Sequence, residues 1–337
     1  MSAIRLKTID AHAAGEPLRL VVDGFPAPVG RTMLEKRDWV KKRADHLRRA
    51  LMLEPRGHAD MYGALLTEPV APGSHAGVLF MHNEGYSTMC GHGVIAVTTV
   101  ALERGLIVPG GDGATIVYDT PAGTVRARAG LSATPNHFSR VTSVAFTNVP
   151  SFVLYPGLDV KLEGRHVRAD VAFGGAFYAI VDCESVGLPI DAAHLPELRR
   201  VGMAIKDAIE ASHAVVHPLE PGLEGISGTI FTGPPNDARA DLRNVTVFGD
   251  AEVDRSPSGT GTAAVMAVVD AMGLLGADRP FVHESLIGTT FTGRVAGRTL
   301  VGDREAIAPE IEGSAWITGE HSFLVDDDDP LKHGFRI

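Results

Sequence analysis

Short runs of apolar and β-branched residues recur along most of the chain. Four of them are bounded by Gly, Pro, Asn or Asp, as strands usually are: residues 18–22, 114–118, 141–146 and 245–248. The runs are too short for helices and are separated by turn residues. This pattern predicts a protein rich in short strands.

Helical periodicity is confined to fewer segments. Apolar residues at helical spacing predict helices over residues 32–53 and 196–211. Two further stretches, 94–102 and 262–272, are apolar on nearly every side, so we expect each to be the buried centre of a domain. Strands outnumber helices and do not alternate with them in βαβ order, which predicts an α+β fold with antiparallel or mixed sheets.

The two apolar helices belong to an internal repeat. When the chain is shifted by 168 positions, residues 90–106 align with residues 258–274 without a gap and share seven identities in 17 positions. The shared residues include a Gly-x-Gly at the predicted helix start and a Gly-Leu pair after its end. We therefore predict two domains of one fold, related by a pseudo-twofold axis.

The composition narrows the class of protein. A chain of 337 residues fits about two domains, and 45% hydrophobic with 21% charged residues is typical of a full core. The net charge of −10 disfavours nucleic-acid and anionic-membrane partners, which select clustered Lys and Arg. Two cysteines do not make a disulfide framework, and we see no signal peptide and no apolar run of roughly 18 residues. We therefore expect a cytoplasmic protein.

The starts of the two repeated helices offer chemistry. A helix that begins after Cys90 presents the N–H groups of residues 91–93, and a helix after Ser258 presents those of residues 259–261. Such N-termini bind carboxylates and phosphates, and two of them facing each other across a domain cleft would clamp one small anion. The helix dipole also favours the thiolate of Cys90, which is a nucleophile and a base near neutral pH.

Other candidate groups have plainer interpretations. Cys183 lies in a strand-like run and is interpreted as a small buried residue. His12, His213 and His217 are interpreted as structural histidines. The acidic run 326–329 is interpreted as a solvated turn before a proline, because successive side chains of an extended backbone alternate sides.

The sequence indicates no cofactor and no metal. Cys90 and His92 are close in sequence, but no second Cys/His cluster with ligand spacing accompanies them. Residues 259–261 hint at a phosphate loop, yet the Lys-Ser/Thr of a P-loop is missing and no Gly-x-Gly-x-x-Gly follows a strand. Metal and nucleotide binding are therefore disfavoured.

The two helix starts also carry a resemblance to a known family. Residues 89–93 (Met-Cys-Gly-His-Gly) and 254–262 (Asp-Arg-Ser-Pro-Ser-Gly-Thr-Gly-Thr) resemble the paired signature of the proline racemase superfamily. This superfamily includes proline racemases, 4-hydroxyproline epimerases and trans-3-hydroxy-L-proline dehydratases, and the resemblance covers residues 10–335. It implies two pseudo-symmetric diaminopimelate-epimerase-like domains, each a curved sheet around a central helix. The predicted domains are 1–132 with 321–337, carrying Cys90, and 133–320, carrying Ser258.

Position 258 decides which activity the resemblance implies. Racemases and epimerases of this superfamily commonly have two cysteines, one to remove the α-proton and one to return a proton to the opposite face. Here the second position is Ser258, and a hydroxyl is a poor acid or base near pH 7. The dehydratases similarly have a hydroxyl residue there, usually Thr, and residues 83–90 and 173–179 also resemble their versions. The chain is therefore most similar to dehydratases of hydroxyproline catabolism.

The resemblance implies a mechanism without a cofactor. The Cys90 thiolate removes the Cα proton, the 3-hydroxyl leaves as water, and the resulting enamine tautomerises to Δ1-pyrroline-2-carboxylate. The substrate carboxylate binds to backbone N–H groups, Asp254 orients the ring ammonium, and Ser258 hydrogen-bonds the departing hydroxyl. The implied site comprises catalytic Cys90 and Ser258 and substrate-binding Gly91, His92, Asp254, Gly259 and Thr260.

Two alternatives stay open. The first is a proline racemase or 4-hydroxyproline epimerase in which a water bound to the Ser258 hydroxyl acts opposite Cys90. The second, from another class, is a non-catalytic amino-acid-binding protein that lost its activity together with the second cysteine. In each case we expect a small-molecule partner, hydroxyproline or proline, with no nucleic acid and no membrane. The oligomeric state, a homodimer included, is left open.

Overall fold

Strands outnumber helices in the fold. The computed structural model describes residues 3–109, 114–132, 140–162, 164–276 and 279–337. Over these ranges the strands are β1 (Ala3–Ala13), β2 (Glu16–Asp23), β3 (Tyr62–Thr67), β4 (Ala76–His82), β5 (Tyr86–Ser87), β6 (Thr115–Thr120), β7 (Gly123–Ser132), β8 (Arg140–Thr147), β9 (Phe152–Leu162), β10 (Arg165–Phe173), β11 (Phe177–Asp182), β12 (Ile226–Gly233), β13 (Leu242–Phe248), β14 (Glu252–Asp254), β15 (Phe281–Glu284), β16 (Thr290–Val301), β17 (Arg304–Gly313) and β18 (Ala315–Asp326). The helices are α1 (Met33–Arg43), α2 (Asp45–Met52), α3 (Gly91–Glu103), α4 (Cys183–Val186), α5 (Leu195–Ser212) and α6 (Gly259–Ala271).

The chain divides into two compact units. Unit 1 comprises Met1–Phe146 with Ser314–Ile337, and unit 2 comprises Thr147–Gly313. In unit 1 the strands pair in the order β18-β1-β2-β3-β4-β6-β7, and β4 also pairs with β5. Only β2–β3 and β4–β6 among these pairs of described residues are parallel. The domain limits expected from the sequence stay a prediction.

Unit 2 repeats this strand order. Its strands pair in the order β9-β10-β11-β12-β13-β15-β16-β17, and β13 also pairs with β14. Of these described pairs, β11–β12 and β13–β15 are parallel, at the positions that match the two parallel pairs of unit 1. The predicted α+β class with mixed sheets is confirmed, and so is the prediction that one fold occurs twice.

Each unit has one helix that is buried on all sides. Every residue from 91 to 101 in α3 is buried, and so is every residue from 259 to 268 in α6. Helix α3 packs against β1, β2, β3, β7 and β18, and α6 packs against β9, β10, β11, β16 and β17. The sequence predicted this burial because both helices lack a polar face.

The ends of α3 and α6 explain part of the sequence repeat. Gly105 has a φ of 62°, and the N–H of Leu106 donates to the carbonyl of Ala101 at 2.8 Å. Gly273 has a φ of 70°, and Leu274 makes the same bond at 3.0 Å to the carbonyl five residues earlier. Glycine adopts this left-handed conformation readily, so the Gly-Leu pair closes each helix with the same cap.

The peripheral helices match the sequence analysis with one difference. Helix α5 confirms the prediction over 196–211, whereas the stretch 32–53 forms two helices instead of one. Ala44 separates them with a φ of −134°, which is outside the helical range, although its N–H still bonds to the carbonyl of Val40 at 2.8 Å. No helix of the described residues is long and apolar enough to cross a membrane.

Candidate active site

The Cys90 thiol caps the buried helix of unit 1. Cys90 has an extended backbone (φ −146°, ψ 112°), which ends the preceding segment and starts α3 at Gly91. Its Sγ accepts a hydrogen bond from the N–H of Gly93 at 3.3 Å, and the residue is 4% exposed. The thiol therefore lies at the positive end of the helix dipole, as the sequence predicted. The N–H of Gly93, expected to be available with those of residues 91 and 92, is instead used by the sulfur.

Glycine at position 93 is required by space. A Cβ at this position would lie 2.4 Å from Cε1 of Phe80 and 2.9 Å from Sγ of Cys90. Phe80 is fully buried in β4, so it has no room to retreat. The Gly-x-Gly of the motif thus lets the thiol, the helix start and the strand beneath them pack closely together.

The side chain of His92 also reaches the thiol. Its Nδ1 lies 3.3 Å from Sγ of Cys90, and its ring packs edge-on against Tyr62 with 4.8 Å between ring centroids. His92 is 3% exposed, and the hydroxyl of Tyr62 is hydrogen-bonded to the Ser87 side chain. The sequence predicts a role only for the backbone N–H of His92, so this imidazole–thiol contact is an addition to the site.

Ser258 occupies the equivalent position in unit 2. Its Oγ accepts a hydrogen bond from the N–H of Gly261 at 3.2 Å, so it caps α6 as Cys90 caps α3. Ser258 is 4% exposed and has φ 60° and ψ 115°, whereas Cys90 has a negative φ. The two caps therefore make the same side-chain contact from different backbone conformations.

Asp254 is a buried carboxyl group close to this cap. Its Oδ1 accepts hydrogen bonds from the N–H and Oγ of Ser256 at 2.8 and 2.7 Å. Burial raises the pKa of Asp254 to about 6, and the bonds from Ser256 act in the opposite direction. Because desolvation disfavours the charged carboxylate, a cation beside it would restore the ionised form.

Thr260, the second residue of α6, is held by the sheet beside it. Its Oγ1 lies 2.7 Å from the hydroxyl of Tyr178 in β11. A Cβ on Gly174 would lie 2.2 Å from the carbonyl oxygen of Thr260, so the backbone of the β10–β11 turn approaches the helix start directly. The segment 173–179, which resembles the dehydratase version of this segment, therefore lies beside the start of α6.

The predicted site residues thus form two groups. Unit 1 brings Cys90, Gly91 and His92 together at the start of α3. Unit 2 brings together the other four at the start of α6: Asp254, Ser258, Gly259 and Thr260. The first N–H groups of each helix lack intrahelical partners by geometry, so each group can bind an anion. That both groups act on one ligand stays a prediction.

The remaining candidates have the ordinary roles expected of them. Cys183 is 6% exposed, and burial raises the pKa of its thiol, which keeps it protonated. His12 stacks on Trp316 at 5.4 Å, and burial lowers the pKa of His217, which packs against Phe173. The acidic run 326–329 ends β18 and forms a turn. Among the described residues, no three His, Cys, Asp or Glu side chains are grouped to hold a metal ion.

Comparison with known proteins decides the family. The sequence model of the proline racemase family matches residues 8–336. The chain belongs to the proline racemase family. This confirms the resemblance that the two helix-start motifs carry, over nearly the same residues as expected from the sequence.

Individual members of the proline racemase family differ in the activity named for them. A trans-3-hydroxy-L-proline dehydratase from Bacillus cereus is 48% identical, with 98% of this chain and 97% of the relative covered. A 3-hydroxyproline 2-epimerase from Burkholderia multivorans is 44% identical, with 98% of each chain covered. The crystal structure of a hydroxyproline epimerase from Agrobacterium vitis with bound trans-4-hydroxy-L-proline is 31% identical and has a TM-score of 0.90. The match covers 99% of this chain and 96% of the chain in that crystal structure.

Three buried residues close to the Ser258 cap were missed by the sequence analysis. They are Asn244, Thr262 and His283, which hydrogen-bond around the carbonyl of Pro257. One signal was present in the repeat: Thr262 aligns with Val94, so a hydroxyl stands where the first helix has a methyl group. Asn244 and His283 lie on strands outside the motif, ten residues before it and 21 residues after it, where no local pattern marks them.

Proposed function

We propose that the chain dehydrates trans-3-hydroxy-L-proline to Δ1-pyrroline-2-carboxylate without a cofactor. One observation carries the proposal: of two equivalent helix caps, Cys90 supplies a thiol and Ser258 supplies a hydroxyl. The sequence predicts that both caps face one substrate, and a thiolate on one side with a hydroxyl on the other then favours removing the α-proton over returning one to the opposite face. The name of the Bacillus cereus relative, a trans-3-hydroxy-L-proline dehydratase, supports this choice of substrate.

The proposed reaction begins with proton transfer from Cα of the substrate to the Cys90 thiolate. The electron pair of the C–H bond forms a double bond between Cα and C3, and the C3–O bond breaks. The hydroxyl takes up a proton from solvent and leaves as water, and the Cys90 thiol releases the proton that it took from Cα. The remaining enamine tautomerises to the imine Δ1-pyrroline-2-carboxylate, so the overall change is the loss of water.

The surroundings of Cys90 suit a base. The N–H of Gly93 donates to its sulfur, and the start of α3 adds the positive end of a helix dipole. The Nδ1 of His92, 3.3 Å from Sγ, is placed to accept the thiol proton and to pair with the thiolate as imidazolium. Both effects favour the thiolate over the thiol.

The substrate-binding groups are assigned by charge. The substrate carboxylate binds to the N–H groups at the two helix starts, contributed by Gly91, His92, Gly259 and Thr260. Asp254 pairs with the ring ammonium, and this cation compensates the desolvation that raises the carboxyl pKa. The Ser258 hydroxyl hydrogen-bonds the departing 3-hydroxyl.

Proton NMR of three substrates tests the proposal. The purified protein should convert trans-3-hydroxy-L-proline and leave trans-4-hydroxy-L-proline and L-proline chemically unchanged, because neither has a 3-hydroxyl to lose. Formation of Δ1-pyrroline-2-carboxylate is followed directly in the spectrum. A protein that binds the 3-hydroxy substrate but releases no water would contradict the dehydratase assignment.

Epimerisation is the second candidate, and one comparison favours it. The Burkholderia multivorans relative, named a 3-hydroxyproline 2-epimerase, is 44% identical over almost the whole chain. In this reaction a water held by Ser258 returns a proton to the face opposite Cys90. Incubation in D₂O followed by chiral chromatography separates the two reactions. Deuterium at an inverted Cα without loss of water would replace the dehydratase proposal.

A further inference from the structure

Ser258 has a backbone conformation that residues with side chains rarely adopt. Its φ of 60° with ψ of 115° lies outside the three regions allowed to most residues. Cys90, in the equivalent cap, has φ −146° and ψ 112°, which is ordinary extended backbone. Such strain persists only where the surrounding structure fixes the backbone, and it is concentrated at functional positions. The Pro257–Ser258 peptide should therefore be held by contacts on both of its sides.

Two buried side chains hold the carbonyl before Ser258. The carbonyl oxygen of Pro257 accepts a hydrogen bond from Nδ2 of Asn244 at 2.8 Å and another from Oγ1 of Thr262 at 3.1 Å. Asn244 and Thr262 are both fully buried. Two donors from different elements, β13 and α6, fix the direction of this carbonyl and with it the plane of the Pro257–Ser258 peptide.

A third buried side chain orients the Thr262 hydroxyl. Nδ1 of His283 lies 2.9 Å from Oγ1 of Thr262. A hydroxyl has one proton, and Thr262 donates it to Pro257, so Nδ1 of His283 carries a hydrogen and donates to Oγ1. Burial lowers the pKa of His283 to about 3, so the ring is neutral and its Nε2 is an unprotonated acceptor. Nε2 is also without a hydrogen-bond partner among the described residues, as this tautomer allows.

The other side of the same peptide is held by Ser256. Its Oγ accepts the N–H of Ser258 at 3.1 Å and donates to Oδ1 of Asp254 at 2.7 Å. The Pro257–Ser258 peptide is thus fixed at its carbonyl and at its N–H. In α3 the residue that aligns with Thr262 is Val94, which has no hydroxyl, and there the cap has relaxed backbone.

We propose that Thr262, supported by Asn244 and His283, is a positioning residue that keeps Ser258 in its strained conformation and its hydroxyl at the leaving group. This inference rests on the proposed function, in which Ser258 contacts the departing hydroxyl. Thr262 does not touch the substrate in this proposal and acts only through Ser258. Its loss should impair expulsion of the hydroxyl while leaving Cys90 free to remove the α-proton.

A set of isosteric variants separates positioning from simple stability. Thr262→Val keeps the shape and removes the hydroxyl, and dehydration should fall by about 10²-fold, as expected when a reacting group moves by about 1 Å. Exchange of the Cα proton of L-proline in D₂O should continue at the wild-type rate. Thr262→Ser keeps the hydroxyl and should retain dehydration. His283→Leu removes the donor to Thr262 and should lose part of the dehydration rate. His283→Asn retains a donor and should keep the wild-type rate.

Thr99→Val is the matched control. Thr99 is an equally buried threonine in α3 whose Oγ1 donates to the carbonyl of Ile95 at 2.9 Å, and it belongs to unit 1, whereas Ser258 belongs to unit 2. This variant should lose thermal stability as Thr262→Val does, yet keep the wild-type dehydration rate. Equal losses of dehydration in both variants would assign Thr262 to stability alone and overturn the proposal.

A crystal structure of Thr262→Val gives a readout that does not depend on turnover. Ser258 should leave the positive-φ region, and its Oγ should move away from the N–H of Gly261. A Ser258 that keeps its conformation in the variant would overturn the inference even if activity falls. If the wild-type protein does not dehydrate the 3-hydroxy substrate, the proposed function fails, and this structural comparison still decides whether Thr262 holds the turn.

Discussion

At the scale of single residues, the two cysteines differ in their surroundings more than in their burial. Cys90 and Cys183 are 4% and 6% exposed, but only Cys90 caps a long buried helix and contacts an imidazole. Cys90→Ser should therefore lower kcat for dehydration by at least about 10²-fold, the usual contribution of a general base. Cys183→Ala is the matched control and should keep activity, with both rates measured by NMR. Substantial dehydration by Cys90→Ser would remove Cys90 from the role of base.

Asp254 should give substrate binding a dependence on pH. Burial raises the pKa of Asp254 to about 6, so the carboxylate that pairs with a ring ammonium is lost as pH falls through that value. In a Cys90→Ser background, which removes the thiol titration, the affinity for L-proline should fall about tenfold per pH unit below 6. Isothermal calorimetry between pH 5 and 8 measures this change. Asp254→Asn should bind weakly with no such dependence, and a flat profile in the Asp254 protein would contradict the pairing.

In the proposed mechanism, Ser258 is the residue that sets the type of reaction. Ser258→Cys should add a second thiol whose start-of-helix position matches that of Cys90. The variant should invert L-proline slowly, since that substrate has no 3-hydroxyl to lose, and dehydration of the 3-hydroxy substrate should fall. Chiral chromatography after long incubation detects slow inversion. A folded variant that binds pyrrole-2-carboxylate and still does not invert L-proline would refute the two-face argument.

At the scale of helices and strands, the glycines of the motif set the distance between thiol and strand. Gly93→Ala should push Cβ into Phe80 and Cys90, which overpacks the core and destabilises the protein by about 1–3 kcal/mol. The displaced sulfur should lower kcat by about 10²-fold. Gly297→Ala, whose Cβ would meet nothing within 4 Å, is the control. A Gly93→Ala enzyme with normal kcat would show that catalysis does not depend on the position of the Cys90 sulfur that Gly93 allows.

The elements that the sequence predicted correctly are those with strong local signals. Helices α3 and α6 begin at a cap residue, end at a Gly-Leu pair and are apolar throughout, so three independent signals agree. The break at Ala44 has no such signal, because alanine has the highest helix propensity of all residues. The group of side chains around the Pro257 carbonyl, which comprises Asn244, Thr262 and His283, was not predicted for a different reason. Its members come from β13, α6 and β15, and only the folded sheet brings Asn244 and His283 to the motif.

At the scale of the whole molecule, the two helix starts should be coupled through one ligand. Pyrrole-2-carboxylate, a planar mimic of the deprotonated substrate, should protect Cys90 from iodoacetamide. Gly261→Ala, in unit 2, would place a Cβ 2.8 Å from Oγ of Ser258 and should weaken that protection. We expect the Kd of pyrrole-2-carboxylate to rise about tenfold in Gly261→Ala, which corresponds to about 1.4 kcal/mol of binding free energy. Mass spectrometry of the Cys90 peptide measures the labelling, with Gly297→Ala as control.

Unchanged protection in Gly261→Ala would mean that the ligand is held by unit 1 alone. Full labelling of Cys90 at saturating ligand in the wild-type protein would place the binding site elsewhere. Either result would leave the fold assignment intact, because that rests on the strand order and on the family match.

The repeat is far more complete in the structure than in the sequence. Identities are concentrated in the 17 positions around each buried helix, yet the strand order of unit 1 recurs in unit 2. A strand position asks only for a residue that fits a pleated surface, so many substitutions are tolerated there. A helix start that packs against a strand and a cap atom asks for glycine, which is why Gly93 and Gly261 are retained.

The two helix caps make the same contact with different atoms, and this has a consequence for how activities diverge in the proline racemase family. Sulfur at one cap and oxygen at the other make the same bond to the helix, at 3.3 and 3.2 Å, so exchanging the atom at position 258 leaves the helix start in place. In the proposed mechanism, the type of reaction then depends on the residue at this one position. Overall identity carries little information about such a change: relatives named dehydratase and epimerase stand at 48% and 44%. Under the proposed function, the residue at position 258 is therefore a better guide to the activity of a family member than its percentage identity.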